Sequence, residues 1–460
     1  MAIDLSIARR PRAHAPAHTS VFPETTGWDA PWWKLLAKRW GSVTHAMCSY
    51  MGMFPASLPR YFIEQFTEPG DIVVDPFSGR GTAPLEACIA GRVGIGVDLN
   101  PLAALLTRAK VDPPTLDETL ARIDELERTY SRTGVTDRAP PEIEILFDGR
   151  RTLPQLLHMR EKLDPNDRTD RFLLASLTGI LHGNHSTKDP RASRCLSISM
   201  PNTFSMSPGY LRRYIRQNKL KKYPFDAFDR LRTRMHHLYE DGMPAARGMA
   251  FQGDALSLSQ HVAPGSAKLV ITSPPYLNVV RYGKFNWIRL WLLKESVERV
   301  DRSLRGHTDL SLQVEKTDLQ LGLSDRLNFR RYCEFLRLSL TESARVLRDD
   351  GLCVVTIGDV ETNQHDRRLA LEAWDAIAKD VPLTLSTVID DHIDTTIKVS
   401  RIWGETKGRA TKIDRVLVLQ KKQAPKPRHD PNQLIARLAA MPTRMAEEPA
   451  NEVEMAAGGR

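Results

Sequence analysis

The sequence has no apolar run approaching the length of a membrane span, which speaks against a membrane-spanning helix. Its five cysteines, Cys48, Cys88, Cys195, Cys333 and Cys353, are scattered and never form a CxxC pair. That gives no support to a zinc framework or a disulfide scaffold, and it fits a reducing cytoplasm. The histidines, His182, His185, His236 and His237 among them, lack the paired acid or thiol spacing of a metal site, and no metal is expected. Met1 to Ser20 mixes Arg, Pro, His and Ala without a continuous apolar core, so a secretory signal is not expected, and residues 1–28 read as a flexible arm. No internal repeat is present.

What the chain does have is length, a core and an uneven charge. Its 460 residues suffice for more than one domain, and 41% hydrophobic content supports a sizeable core. The formal net charge is +9. From Lys188 to Arg234 twelve Lys/Arg (Lys188, Arg191, Arg194, Arg212, Arg213, Arg216, Lys219, Lys221, Lys222, Arg230, Arg232 and Arg234) face only Asp189, Asp226 and Asp229. This one segment equals the excess of the whole chain. Such a concentration fits a polyanionic partner, and the plainer alternative is a solvated helical face.

An α/β pattern brackets that segment. Residues 29–66 read as helices anchored by Trp32, Trp33 and Trp40. Ile72-Val73-Val74 predicts a short buried strand, followed by Asp75-Pro76-Phe77-Ser78-Gly79-Arg80-Gly81-Thr82 and a helix over Ala83 to Ala90. Val93 to Val97 predicts the next strand, ending at Asp98-Leu99-Asn100-Pro101. Strand, glycine loop, helix, strand and acid form a βαβ unit, with the acid about 20 residues beyond the loop. Residues 115–130 read as an amphipathic helix, and 142–248 as mixed and mostly helical. The α/β pattern resumes at Met249 to Leu256. Further strands are expected at Leu269 to Ile271, Leu352 to Ile357, Leu383 to Ile389 and Arg415 to Leu419. Helices are expected over Phe285 to Lys294 and over Phe329 to Leu347, the latter closed by Asp349-Asp350-Gly351. Residues 299–326 read as a loop, and the chain from Gln423 as a mobile tail with a short helix near Leu434–Met441.

Two stretches carry chemistry. Gly79 and Gly81 let the backbone pass close to a ligand, and the following helix aims its first amides there. No Lys follows the second glycine, so this is not a P-loop. Asp98 can accept both hydroxyls of a ribose, which together with the glycines favours an adenosine-type cofactor over a purely structural turn. The second stretch is Thr272-Ser273-Pro274-Pro275-Tyr276. It stops a buried parallel strand with two prolines, holding a serine, two carbonyls and a ring at a carboxyl strand end, where open α/β sheets bind ligands.

Together these stretches resemble the amino-methyltransferase family of DNA methyltransferases. Asp75 to Thr82 is similar to its S-adenosylmethionine loop, DPFxGxGT, and Ser273-Pro274-Pro275-Tyr276 to its catalytic (D/N/S)PP(Y/F) tetrapeptide. The resemblance implies a Rossmann-like class I methyltransferase fold, with a doubly wound, mostly parallel seven-stranded sheet and an inserted, mainly helical subdomain. It implies S-adenosylmethionine as cofactor, bound by Asp75, Pro76, Phe77, Gly79, Gly81, Thr82, Asp98 and Asn100. Phe54-Pro55 resembles the segment that closes over the methionine end, and Gly253-Asp254 the acid near the adenine amino group. Ser273, Pro274, Pro275 and Tyr276 resemble the catalytic residues, with Tyr276 stacking on a flipped base. The serine form resembles N4-cytosine enzymes most. The order of motifs, loop first, is also used by N6-adenine enzymes, which stay open as the alternative, followed by an RNA substrate or an inactive DNA-binding homologue. Carbon methylation would need a thiolate after a proline, and no cysteine here follows one.

The expected organisation is an arm at 1–28, the cofactor half at 29–110, a basic recognition region at 111–248, the catalytic half at 249–422 and a tail at 423–460. Arg212, Arg213, Arg216, Lys219, Lys221 and Lys222 are the candidate contacts to double-stranded DNA. A cognate restriction endonuclease is the implied partner.

Overall fold

The structure is a computed structural model. It describes residues 28–37, 40–52, 54–135, 137–186, 189–201, 205–275, 282–308, 323–361, 366–393, 413–423 and 426–441. Most of the arm, and Tyr276, lie outside the described residues.

All seven expected strands are present. They are β1 (Ile72–Asp75), β2 (Val93–Asp98), β3 (Met249–Gln252), β4 (Ala267–Thr272), β5 (Leu347–Gly358), β6 (Thr384–His392) and β7 (Ile413–Gln420). They form one sheet in the order β3-β2-β1-β4-β5-β7-β6. The first five run parallel, and β7 is antiparallel to both neighbours. The central strands are covered on both faces, which is why Ile72-Val73-Val74 and Leu269-Val270-Ile271 read as unbroken apolar runs. This is the class I methyltransferase topology, Rossmann-like and doubly wound. The sheet reverses direction of winding between β1 and β4, the position at which such sheets bind ligands.

The helices are set by local signals. α1 (Ser57–Phe66) and α2 (Thr82–Ile89) flank β1 in sequence. α3 (Pro101–Val111) starts on an Asn100 cap with Pro101 in its first turn. α4 (Leu116–Thr129) opens on a capping box between Thr115 and Glu118. Then come α5 (Pro141–Glu144), α6 (Thr152–Lys162), α7 (Arg168–Ile180), α8 (Pro208–Gln217) and α9 (Ala227–Leu238). Between α3 and β3, no described residue belongs to a strand longer than the single bridge Gly183–Ser199. After β4 follow α10 (Tyr282–Phe285), α11 (Trp287–Leu292), α12 (Val297–Thr308), α13 (Leu323–Val346), α14 (Leu369–Ile377) and α15 (Pro431–Ala439).

One face of the sheet packs Val74, Val97 and Val355 against Leu336 of α13 and Ala373 of α14. The other face packs Val73, Ile271 and Val418 against Phe62 of α1, Ala83 of α2 and Leu434 of α15. A third cluster joins the helical region to the rest: Leu106 of α3, Phe172 of α7, Phe228 of α9 and Ile288 of α11 are all fully buried in it. The helical region therefore shares its core with helices on both sides of it in sequence.

Four expectations differ in detail. The helix expected over 285–294 is two short helices divided at Asn286, whose side chain donates to the Tyr282 carbonyl (2.9 Å) and accepts from Arg289 (2.7 Å). The loop expected over 299–326 is helical to Thr308. Its polar sequence still buries Val300, and Asp301 accepts the Gly283 amide at 2.8 Å. Asp349-Asp350-Gly351 does not close α13 but lies within β5, because two steps along β4, Ala267 to Leu269, correspond to five along β5, Leu347 to Leu352. Lys268 and Lys422 pair with the two acids there. Finally, part of the expected tail is docked: α15 starts on an Asp430 cap, buries Leu434, Ile435 and Leu438, and offers the Leu438 carbonyl to Trp40 Nε1 at 2.9 Å.

Candidate active site

Three parallel strands end side by side on three polar residues: Asp75 on β1, Asp98 on β2 and Thr272 on β4. The loop after β1 is shaped by glycine. Gly79 and Gly81 have φ of 51° and 79°. A Cβ on Gly81 would lie 2.9 Å from the Thr107 Cα, so no other residue fits between this loop and α3. The Gly79 amide donates to Asp98 Oδ2 and the Asn100 amide to Asp98 Oδ1, both at 2.8 Å. Each oxygen of Asp98 thus has one fixed donor and a remaining lone pair. Burial raises the Asp98 carboxyl to about 6, and the two backbone bonds oppose that rise.

Asp75 is buried, and its Oδ1 accepts from the Phe77 amide (3.1 Å) and from the Thr272 hydroxyl (2.5 Å). Burial pushes its carboxyl to about 7, the two donors oppose the rise, and the Asp98 charge adds to it. Its side chain thereby ties β1 to the residue before Ser273. Ser273 is half-buried, Pro274 buried and Pro275 half-buried. Arg80 is fixed from both sides: its guanidinium donates to the His45 carbonyl (3.0 Å), and the wholly buried Lys110 donates its Nζ to the Arg80 carbonyl (2.8 Å). His45 in turn sits against Glu86 (2.6 Å), which Arg60 also contacts. Burial lowers the His45 imidazole to about 4, so at neutral pH it is an uncharged donor and Arg60 balances the Glu86 carboxylate.

The remaining expected residues sort by position. Pro76 and Thr82 are buried in the loop, and Phe77 packs its ring 5.6 Å from Phe335. Asn100 caps α3 and donates Nδ2 to the Tyr50 hydroxyl at 2.8 Å. Phe54 is half-buried and Pro55 exposed, just before α1. Asp254 follows β3 and accepts the Leu256 amide at 2.9 Å, while the Gly253 amide donates to the Asp98 carbonyl at 3.0 Å.

The sequence places Thr272 in the second stretch without a role, and gives no sign of Thr107, Lys110, Tyr50 or Tyr282 as site residues. Tyr50 and Tyr282 stack, and burial, helped by the Asp98 charge, raises both phenols. Thr272 could have been found from the alignment of β1 with β4, since it ends a strand beside an acid. The two tyrosines carry no local signal.

Arg212, Arg213, Arg216, Lys219, Lys221 and Lys222 are all exposed, on α8 or just past it. The basic segment is not uniform. Arg232 pairs with Asp124 and Glu127, Arg230 lies 5.0 Å over Phe225, and Arg234 donates to the Ala46 carbonyl, so these three serve packing. Among the described residues, no three His, Cys, Asp or Glu converge on a metal position, and no helix is long and apolar enough to cross a membrane.

Part of the chain is similar to known proteins. Residues 28–107 match the DNA methylase model of the N6/N4 methyltransferase family. A Type II methyltransferase of Methanocaldococcus jannaschii, M.MjaII, is 32% identical over 84 residues, covering 18% of this chain and 16% of that protein. Another from Proteus hauseri, M.PvuII, is 42% identical over 62 residues, covering 12% and 18%. The match spans less than a fifth of either relative's length. An rRNA methyltransferase structure from Streptomyces viridochromogenes overlaps 82% of this chain and 89% of its own, at 12% identity and a TM-score of 0.28, too low to bear on substrate. Residues 28–107 of this chain are thus similar to the corresponding part of DNA amino-methyltransferases.

Proposed function

We propose that the chain is an S-adenosylmethionine-dependent DNA methyltransferase that modifies an exocyclic base amine, the N4 amine of cytosine in double-stranded DNA. The observation that carries this reading is the meeting of the glycine loop and Asp98 with Ser273-Pro274-Pro275 at one edge of one sheet, although about 190 residues separate Thr82 from Ser273 in the chain. When bound, S-adenosylmethionine supplies a sulfonium methyl group that is open to attack by a nitrogen. Asp98 has lone pairs left for the ribose hydroxyls and the Gly79–Gly81 turn leaves room for close approach; in this reading Asp254 serves the adenine amino group and Phe54-Pro55 closes over the methionine end.

On the acceptor side, the amine of cytosine is a weak nucleophile because its lone pair is delocalised into the ring. Ser273 Oγ and a carbonyl of Pro274 or Pro275 accept its N–H bonds and favour a tetrahedral nitrogen. Alignment and electrostatics then supply most of the rate, with no covalent enzyme intermediate. Asp75 holds Thr272 and so positions Ser273. The base leaves the duplex to reach this pocket, with Tyr276 as its stacking partner.

The relatives are named Type II methyltransferases, which supports a modification role; a cognate restriction endonuclease as partner and the cytoplasm as the place of action are part of the same proposal. The motif order favours N6-adenine as the second reading, since the matched family covers both amines. Mapping modified bases in DNA from cells that express the protein, by a method separating N4-methylcytosine from N6-methyladenine, decides between them. DNA free of both marks would refute the enzyme reading.

A further inference from the structure

Helix α8 and the residues just beyond it, 208–222, contain six basic side chains and no acid. The types are segregated. Arg212, Arg213 and Arg216 stand on the helix, whereas Lys219, Lys221 and Lys222 follow its end. Leu211 is the one buried residue of the helix, so most of its surface is open. Among the described residues, Arg212, Arg213, Arg216, Lys219 and Lys221 have no acidic partner, in contrast to Arg232 nearby. Tyr210 is 43% exposed and stacks on Tyr214, and the Arg213 guanidinium lies 5.1 Å over the Tyr210 ring. That contact holds the Arg213 fork on the exposed face and lowers the entropy lost when it engages a partner.

The helix is also wired to the catalytic segment. Its lead-in donates the Ser205 amide to the Phe285 carbonyl (2.6 Å), and the Met206 carbonyl accepts from Trp287 Nε1 (2.8 Å). Phe285 and Trp287 belong to the two helices that follow Ser273-Pro274-Pro275. A ten-residue helix is about 15 Å long and, seated on its buried face, fits a major groove of about 12 Å width. Arginine forks suit the paired O6 and N7 acceptors of guanine, while lysines act as point charges on phosphates.

We infer that α8 is the reading helix: it enters the major groove, Arg213 and Arg216 read guanine, and Lys219 and Lys221 hold the backbone. The recognition sequence therefore contains guanine outside the target base pair. This rests on the double-stranded DNA reading above and deepens it.

The test uses the full chain and the duplex sequence found by base mapping. Replacing each guanine in turn by 7-deazaguanine, which lacks the N7 acceptor, lowers wild-type affinity several-fold at the guanines read. Arg213→Ala and Arg216→Ala bind the natural duplex roughly ten- to a hundred-fold more weakly and lose sensitivity to 7-deazaguanine at one position each. Lys219→Ala and Lys221→Ala weaken all duplexes alike and reduce the salt slope of log K by about one. Unchanged S-adenosylmethionine affinity and melting temperature show that the variants are folded. A mapped sequence without such a guanine overturns the inference, as do arginine variants that weaken every duplex equally and keep full 7-deazaguanine sensitivity. In both cases methylation persists and the enzyme reading stands. A wild-type chain that binds no duplex and leaves no mark removes both.

Discussion

The rings of Tyr50 and Tyr282 stack with centroids 5.7 Å apart and planes inclined by 22°. Tyr50 precedes the glycine loop and is bonded to Asn100, two residues past Asp98. Tyr282 opens the helix after the acceptor motif. The pair therefore clasps the two halves of the site together. Aromatic pairs contribute about 0.5–1.5 kcal/mol beyond their area. Tyr282→Ala is expected to weaken S-adenosylmethionine binding roughly two- to ten-fold, whereas Tyr282→Phe keeps the stack and stays near wild type. Calorimetric titration of both variants checks this, and equal affinities for the two would dissolve the clasp.

Ser273→Ala tests the acceptor side. Removing one positioned polar contact to the reacting centre is expected to lower kcat by about a hundred-fold or more. Cofactor affinity should stay within about two-fold, because the role proposed for Ser273 is on the base amine and not on the cofactor. Single-turnover methylation with cofactor titration separates the two quantities, and an unchanged rate would refute the role of Ser273.

Asp98 sets a pH dependence of cofactor binding. In the proposed mode of binding the ribose hydroxyls donate to the ionised carboxylate, so protonation would compete with binding. Affinity should be level above about pH 6 and fall by up to about ten-fold per pH unit below it. Asp98→Asn should bind more weakly and lose the step. A wild-type profile that is flat from pH 5 to 8 would contradict this.

Asp75 sets a pH dependence of stability in the ligand-free protein. Its folded pKa of about 7 lies above the ordinary 3.8, so the folded state holds a proton that the unfolded chain releases. The stability it contributes is fully present below about pH 4 and is lost as pH rises through 7. Asp75→Asn keeps an acceptor for Thr272 and never ionises. Relative to wild type its advantage should grow between about pH 4 and pH 7, by at most about 1.4 kcal/mol per pH unit, and level off above pH 7. Chemical denaturation at pH 5 and pH 8 measures the difference, and a gap that does not widen at pH 8 would count against an ionising, buried Asp75.

Gly81→Ala should cost roughly 1–3 kcal/mol, since the added methyl meets Thr107 and the φ of 79° is left-handed. Gly149→Ala, with nothing within 4 Å, serves as the control. Equal melting temperatures for the two variants would mean that the loop yields.

What was readable in the sequence follows from how local each signal is. Every strand of the sheet was visible, because two covered faces demand continuous apolar runs, and the glycine loop with Asp98 lies within one βαβ unit. The clasp and the Thr272–Asp75 bond were not visible. They join residues 232 and 197 apart in the chain, and only the order of strands brings them together. The polar α12 reads as a loop because what anchors it is the burial of Val300 and a bond from the Gly283 amide to Asp301, not a broad apolar stripe.

The common core of Leu106, Phe172, Phe228 and Ile288 has a consequence for how such proteins diversify. A recognition module hung on a linker can be exchanged between relatives by recombination at its two ends. Here a graft cut at residues 111 and 249 would sever side chains that interlock with α3 and α11, leaving a hole on each side. If α8 reads DNA as proposed, new target sequences are reached by point changes on its open side, while its inner side is constrained by the core it shares with α3 and α11.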